Sequence, residues 1–335
     1  MIETGLPPLR ILPSPLIIFI RQYMEKETID LLFCPYCQSN IKLFNNRLIC
    51  KKCKKIFPYE NGVIALLKDS NKIVWSELSG IEKMDTVSKN FYKDKEFQKA
   101  LSVLPNLPEK GKYRQSENYF WEVSIGKNDF IKAKKLIGTN RTILEVGADF
   151  CWASRNLAKD NSVIALDINK KHLTAAGYLA KDTESFTRVQ GDMNELPIKN
   201  NTIDVIIASA SVHHTTNLND TLKEFARVLK HKGQLIMLRE PVCGDYTNDK
   251  NFGLKEKKVG INEHAPKLKQ WTLSLTQAGF TYNYEIAKLN FITANFKPKY
   301  LFRMLKRYFL SLPLLGPILA KNTITDFNFF AIKKH

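Results

Sequence analysis

The stretch "LEVGADFCWASRNLA" (Leu144–Ala158) decides how this chain folds. It starts inside "TILEVG" (Thr142–Gly147), a short apolar run with β-branched residues, as in a strand buried on both faces. A tight turn follows, and "WASRNLAKD" (Trp152–Asp160) reads as a helix. Strand, turn and helix in that order cradle nucleotide-like cofactors. Two residues disturb the pattern: Asp149 and Cys151 stand where such a turn usually wants glycine. Gly147 is retained, and without a Cβ it lets backbone come close to a ligand.

The alternation continues downstream. "SVIALDI" (162–168) is a second strand, "KKHLTAAGYLAK" (170–181) a helix and "FTRVQGD" (186–192) a third strand. "TIDVIIASAS" (202–211) is a fourth. "LNDTLKEFARVLK" (218–230) is an amphipathic helix closed by the turn His231-Lys232-Gly233, and "GQLIMLRE" (233–240) is a fifth strand. The expected fold class is α/β, a doubly wound, Rossmann-like parallel sheet with right-handed crossovers. Ligands on such sheets sit beyond the carboxyl ends of the strands. Glu145, Asp167 and Asp192 stand at the ends of the first three strands. A carboxylate at Asp167 can accept both hydroxyls of a ribose, and one at Asp192 can reach an adenine amino group. Three acids in register predict an adenosine-type ligand. A dinucleotide enzyme would carry GxGxxG after strand one, and that spacing is absent.

Together "EVGADFC", "ALDIN", "GDMNELPIKNNTIDVI" and "RVLKHKG" resemble the motifs of class I S-adenosylmethionine-dependent methyltransferases in order and spacing. The similarity covers about residues 115 to 335. "GDMNELPIKNNTIDVIIASASVHHT" looks like the branch that methylates small molecules. The resemblance implies S-adenosylmethionine as cofactor. Glu145 and Gly147 would line its methionine end, Asp167 would hold the ribose, and Asp192 and Met193 the adenine. Ser209 would lie near the methyl, and Ala148, Asp149 and Ile168 join the cofactor-binding set. A hydroxyl or amide acceptor needs a base, for which His213, His214 and His264 are the candidates, with Glu240 beside them. No NPPY-like motif follows strand four, which counts against N6 methylation of adenine. Asp149 is expected as a helix N-cap with its charge near the cofactor, so that binding is weakened and Asp149→Gly tightens it.

Upstream, Cys34-x2-Cys37 and Cys50-x2-Cys53 are two knuckles separated by twelve residues. Each aims two thiolates at one point, and a closed set of four suits a structural Zn2+ rather than a catalytic one. Residues 31–68 resemble the small zinc-ribbon proteins that activate tRNA and release-factor methyltransferases, including the "FPYENGVIALL" that follows the second knuckle. The domain plan is an N-terminal arm (1–30), the ribbon (31–68), a helical connector or lid (69–140) and the methyltransferase domain (141–335). Within the connector, Tyr119, Phe120 and Trp121 are adjacent and serve either as a lid or as core. Within the last domain, 296–320 is a basic insert in which Lys297, Lys299, Arg303, Lys306 and Arg307 interleave with apolar residues. It fits an anionic membrane surface, a cap over the acceptor, or RNA.

The chain has 335 residues, a formal net charge of +18 and 44% hydrophobic residues, the composition of a globular protein with an anionic partner or a lysine-rich surface. No run reaches the roughly 18–20 apolar residues of a membrane span, and a cytoplasmic protein with peripheral membrane contact is expected. The leading expectation is methyl transfer to a small-molecule, glycan-like or lipid-linked acceptor. The alternatives are an RNA methyltransferase that uses the ribbon and basic surface, and a degenerate domain acting as an adaptor. Oligomeric state and acceptor atom are not legible.

Overall fold

A computed structural model describes residues 27–45, 47–85, 91, 94–106, 117–180, 186–287, 305–306, 308–310 and 312–334. Most of the N-terminal arm and residues 296–304, 307 and 311 of the basic insert lie outside the described residues, as does the Trp121 side chain.

The ribbon supplies β1 (Ile41–Phe44), β2 (Arg47–Cys50), β3 (Ile56–Glu60) and β4 (Val63–Ala65). The parallel core is β5 (Thr142–Val146), β6 (Ser162–Asp167), β7 (Thr187–Gln190), β8 (Ile203–Ser209) and β9 (Leu229–Cys243). Two last strands, β10 (Phe280–Ile286) and β11 (Ile324–Lys333), pair antiparallel beside β9. All eleven form one sheet in the order β1-β2-β3-β4-β7-β6-β5-β8-β9-β11-β10. The order reverses at β5, which pairs with β6 on one side and β8 on the other. A crevice opens at such a switch point because neighbouring crossovers leave toward opposite faces.

Ten α-helices are described. They are α1 (Lys72–Met84), α2 (Lys95–Ser102), α3 (Glu117–Ile125), α4 (Lys127–Ile137), α5 (Trp152–Leu157), α6 (Lys170–Leu179), α7 (Leu218–Val228), α8 (Leu254–Lys258), α9 (Leu268–Gln277) and α10 (Leu315–Ala320). One apolar cluster joins Leu144 and Ile206 of the sheet to Phe225 of α7 and Trp271 of α9. Another joins Ile143 and Val205 to Phe97 of α2, Phe120 of α3, Phe130 of α4 and Trp152 of α5. The central strands are therefore covered on both faces, which is why they read as continuous apolar runs. One boundary differs from the sequence reading. Helix α7 stops at Val228, Leu229 is extended and pairs with Ile203, and the left-handed turn at Lys232 falls inside β9. Burying the Leu229 side chain against the sheet outweighs its helical propensity.

The ribbon docks on its own sheet. Strand β4 runs parallel to β7 with Ile64 opposite Val189, and both are fully buried. On the same side of the chain, Leu32 bridges Ile198 and the Phe33 amide donates to the Pro197 carbonyl (3.0 Å). Arg188 threads between two glycines: a Cβ at Gly62 or at Gly177 would lie 2.1 Å from its guanidinium. The ribbon thus extends the sheet edge in cis and shares a hydrophobic core with it.

Candidate active site

A cavity of about 710 Å³ opens at the carboxyl ends of β5 to β9. Its floor carries Glu145 and Gly147 at the end of β5, Asp167 and Ile168 at the end of β6, Asp192 and Met193 after β7, and Ser209 at the end of β8. Val74, Glu77 and Ile81 of α1 and Tyr119 and Val123 of α3 close it from the connector side. Asp149, His213 and His214 also line it. Ala148 does not; its amide donates to the Leu166 carbonyl (3.1 Å) and its methyl is buried. His264 does not either: it is exposed and its Nε2 lies 2.7 Å from Asn262 Oδ1, whereas its neighbour Glu263 faces the cavity.

The loop after β5 keeps the backbone of a glycine loop with only its first glycine. Gly147, Asp149 and Cys151 all take left-handed dihedrals, with φ of 66°, 48° and 52°. Only glycine does so freely; other residues pay about 1–2 kcal/mol each. Gly147 has a second constraint, because a Cβ there would lie 2.3 Å from Ser211 Cβ. The close approach that requires glycine is therefore to the loop after β8. Glu145 accepts hydrogen bonds from the Ser154 amide (2.8 Å) and hydroxyl at the start of α5. Burial pushes its carboxyl up to about 8 despite those bonds. Asp167 accepts from the amides of Asp149 (2.8 Å) and Asn169 (2.7 Å), and burial followed by the Asp149 charge raises its pKa. Asp192 is held by Asn194 and by Asn71 Nδ2 (2.7 Å), whose Oδ1 caps α1.

Asp149 is not the helix cap. Cys151 occupies the N-cap position of α5, with no side-chain cap bond. The Asp149 carboxylate accepts from the Tyr119 hydroxyl (2.6 Å) and pairs with His172 Nδ1, while His172 Nε2 pairs with Asp85 (2.9 Å). Burial alone would lower the His172 imidazole; the two aspartates overcome it and hold it at about 10. Phe150 stacks on that ring at 4.3 Å. The charge of Asp149 is thus matched by a buried imidazolium.

Opposite the loop, Val212–His214 form a 3-10 turn after β8. Glu240, fully buried on β9, accepts from the amides of Ser211 (3.0 Å), Val212 (3.0 Å) and His213 (3.1 Å) and from His213 Nδ1 (2.9 Å). His213 Nε2 faces Glu263 at 3.5 Å. Burial disfavours the imidazolium, but Glu240 and Glu263 together bring it up to about 9. His214 Nδ1 donates to the Asn262 carbonyl (2.7 Å) and lies 3.4 Å from Glu77 and 3.3 Å from Glu263.

In the ribbon, the four cysteine sulfurs lie within 4.8 Å of one another, with 3.6 Å between Cys34 and Cys53 and 3.4 Å between Cys37 and Cys50. Four thiolates about 2.3 Å from one zinc ion would stand about 3.8 Å apart, so the set fits that ion.

Residues 144–237 match the family model described as methyltransferase domain. That span of the chain is similar to methyltransferase domains. Over 130 residues it is 26% identical to the mitochondrial 2-methoxy-6-polyprenyl-1,4-benzoquinol methylase of Dictyostelium discoideum, covering 38% of this chain and 36% of that one. It is 27% identical over 95 residues to the uncharacterized methyltransferase YcgJ of Bacillus subtilis, covering 26% of this chain and 38% of the other. The chain therefore spans little more than a third of the length of these curated relatives. Among solved structures, the complex between the Haloferax volcanii Trm112 methyltransferase activator and a methyltransferase aligns at a TM-score of 0.50 and 16% identity, covering 75% of this chain and 99% of that one. At that identity the likeness is one of fold.

Several groups in this cavity carry no motif. Glu77, Tyr119, His172, Arg239 and Glu263 reach it from five separate segments. Tyr119 stood out only as part of an aromatic run; its neighbour Phe120 is ordinary core, packed edge-on to Phe97 at 5.5 Å. Arg239 has a left-handed φ of 59° and pairs with Asp326 (2.8 Å) across the β9–β11 bulge. Nothing local in "MLREP" announces that strain.

Proposed function

We propose that the protein transfers the methyl group of S-adenosylmethionine to a small or lipid-linked acceptor. The observation that carries this reading is the gathering of Glu145, Gly147, Asp167 and Asp192 on one cavity floor at successive strand ends. The half-buried Asp167 carboxylate accepts one amide on each oxygen and retains lone pairs for ribose hydroxyls, and Asp192 with Met193 suits adenine. Glu145 and the turn at Gly147, Asp149 and Ile168 complete the cofactor set, with Ser209 toward the methyl; Ala148 supports the loop from behind. When bound, the sulfonium supplies an electrophilic methyl. The chain's part is to hold an acceptor atom about 3 Å away in line and to exclude water. Its proton leaves toward the His213–His214 end of the cavity, where the Glu77 and Glu263 carboxylates stand. His264, being exposed, takes no part.

The acceptor class rests on the described part of the insert. Leu314 is 85% exposed, and Phe309, Leu315, Ile318 and Leu319 are exposed beside it. None of these residues lines the cavity, which disfavours a cap. The segment returns to the carboxyl end of β9, where Tyr246 donates to Lys321 and Ile324 pairs with Cys243. An apolar surface there suits a lipid interface. No helix of the described residues is long and apolar enough to cross a membrane. Structural zinc at Cys34, Cys37, Cys50 and Cys53 would brace β4 against β7.

Calorimetry with S-adenosylmethionine tests the cofactor, and no measurable binding would end this reading. Labelled cofactor offered to membrane lipid extract and to total RNA tests the acceptor. Label in the lipid fraction is expected; label in RNA would replace the proposal by the RNA alternative.

A further inference from the structure

We propose that His213, His214 and Glu263, with Glu77 alongside, form a site for a divalent transition-metal ion. The site lies at the end of the cavity opposite the β5 loop, where the ion would bind and acidify a hydroxyl acceptor. This deepens the methyl-transfer reading and rests on it for the role, though not for the binding of metal. One ligand atom from each of His213, His214 and Glu263 lies within 4.8 Å of the other two. His213 Nε2 and the Glu263 oxygen are 3.5 Å apart, close to the roughly 3.4 Å edge of a tetrahedron with 2.1 Å bonds. Two nitrogens and a carboxylate oxygen suit Zn2+, Fe2+, Co2+ or Ni2+ better than Mg2+ or Ca2+.

The surroundings are built as a metal site's are. Ligating histidines donate their second ring N–H to a carboxylate or a carbonyl, which fixes the tautomer. His213 follows that pattern: its Nδ1 has the buried Glu240 carboxylate at 2.9 Å, and its Nε2 faces Glu263. His213 therefore keeps Nε2 for an ion, and His214 brings Nδ1 to 3.3 Å from Glu263 and 3.4 Å from Glu77, a nitrogen that an ion would take over from the Asn262 carbonyl. Asn262 Nδ2 in turn donates to the carbonyls of His214 and Thr215 (2.8 Å each), pinning the Glu263 segment onto the histidine turn. Three protein ligands leave a position open toward the cavity. A hydroxyl bound there would lose its proton to the Glu77 carboxylate. Its oxygen would form the new bond to the methyl carbon, and the pair of the breaking S–CH3 bond would return to sulfur.

The test uses the full chain, stripped of metal and titrated with Co2+ under visible absorption, with metal counted after gel filtration. Wild type should retain two equivalents, one with thiolate charge transfer from the ribbon and one with only weak nitrogen–oxygen bands. H214Q and E263Q should each retain the thiolate-bound equivalent and lose the other; that retained signal shows that the variants are folded. A wild-type count of one, or two equivalents persisting in both variants, overturns the site. Acetohydroxamate, a small oxygen-donor ligand, should shift the second band set alone, and no shift removes the open position. Calorimetry with S-adenosylmethionine on the same samples separates the two proposals. Metal without cofactor binding sinks methyl transfer and leaves the site standing, and the converse sinks the site alone.

Discussion

At one end of the cavity, Glu145, Gly147 and Asp149 come from five consecutive residues; at the other, Glu77, His213 and Glu263 come from three distant segments. The loop end is organised by backbone. Three left-handed residues turn the chain from β5 into α5, and amides rather than side chains hold Asp167. The histidine end is organised by side chains, with one buried carboxylate collecting three amides and an imidazole. The two ends meet where Ser211 packs against Gly147. Backbone geometry tolerates side-chain change as long as dihedrals survive, whereas a buried charged network fails when one member leaves.

The largest effect is expected at the junction. Gly147→Val needs both a forbidden φ and 2.3 Å of space already taken by Ser211. It should cost on the order of 3 kcal/mol in stability, and calorimetry should show cofactor affinity falling by at least about 100-fold. Full affinity would mean that the loop is not the cofactor's support. Next is Glu240→Gln, which removes the charge that four donors share. Denaturant unfolding should register a loss of about 2–3 kcal/mol. A loss below about 0.5 kcal/mol would make the two ends equally tolerant, against the contrast drawn here.

A pH titration probes the loop end separately. The folded pKa of His172 is raised to about 10, so the stability it contributes is complete below its ordinary value of 6.5. That contribution is lost as pH rises through about 10. Glu145, raised to about 8, has the same sign: stability falls as its buried carboxyl ionises. The thermal midpoint should therefore drop between pH 6.5 and 10, and less steeply in His172→Gln. An unchanged slope in that variant would remove the imidazolium from the account. The smallest effect concerns Asp149→Gly. It relieves a left-handed aspartate but leaves Tyr119 and His172 without their shared partner. The expected outcome is a slight loss of cofactor affinity, about threefold or less. Tightening would restore the view of Asp149 as an uncompensated charge.

Much of the loop end was legible because it is written locally. A parallel strand buried on both faces is a continuous apolar run, and its end is marked by the next polar residue, as at Glu145, Asp167 and Asp192. The cysteine knuckles were legible for the same reason, since spacing within each turn fixes where the sulfurs point. The sequence offers His213, His214 and Glu240 as candidates, but not Glu77 or Glu263. Nothing local singles out Glu263 over His264, because a sequence gives no sign of which of two adjacent loop residues turns inward. Asp149 reads as a cap in the sequence because its real partners, Tyr119 and His172, lie thirty residues upstream and twenty-three downstream.

The sequence by itself determined the β–α alternation, the acids at three strand ends and the two thiolate knuckles. Each follows from interactions between residues close in the chain, or from the two-faced burial that any parallel sheet imposes. Only the tertiary structure decided that the ribbon continues the sheet through β4 and β7, with Arg188 between Gly62 and Gly177. It alone decided that Asp149 faces a buried imidazolium, and that Glu240 and Glu263 flank His213. Those pairings join segments far apart in sequence. Their energy exists only once water has been excluded from the space between them, a condition that no local pattern of residues can encode.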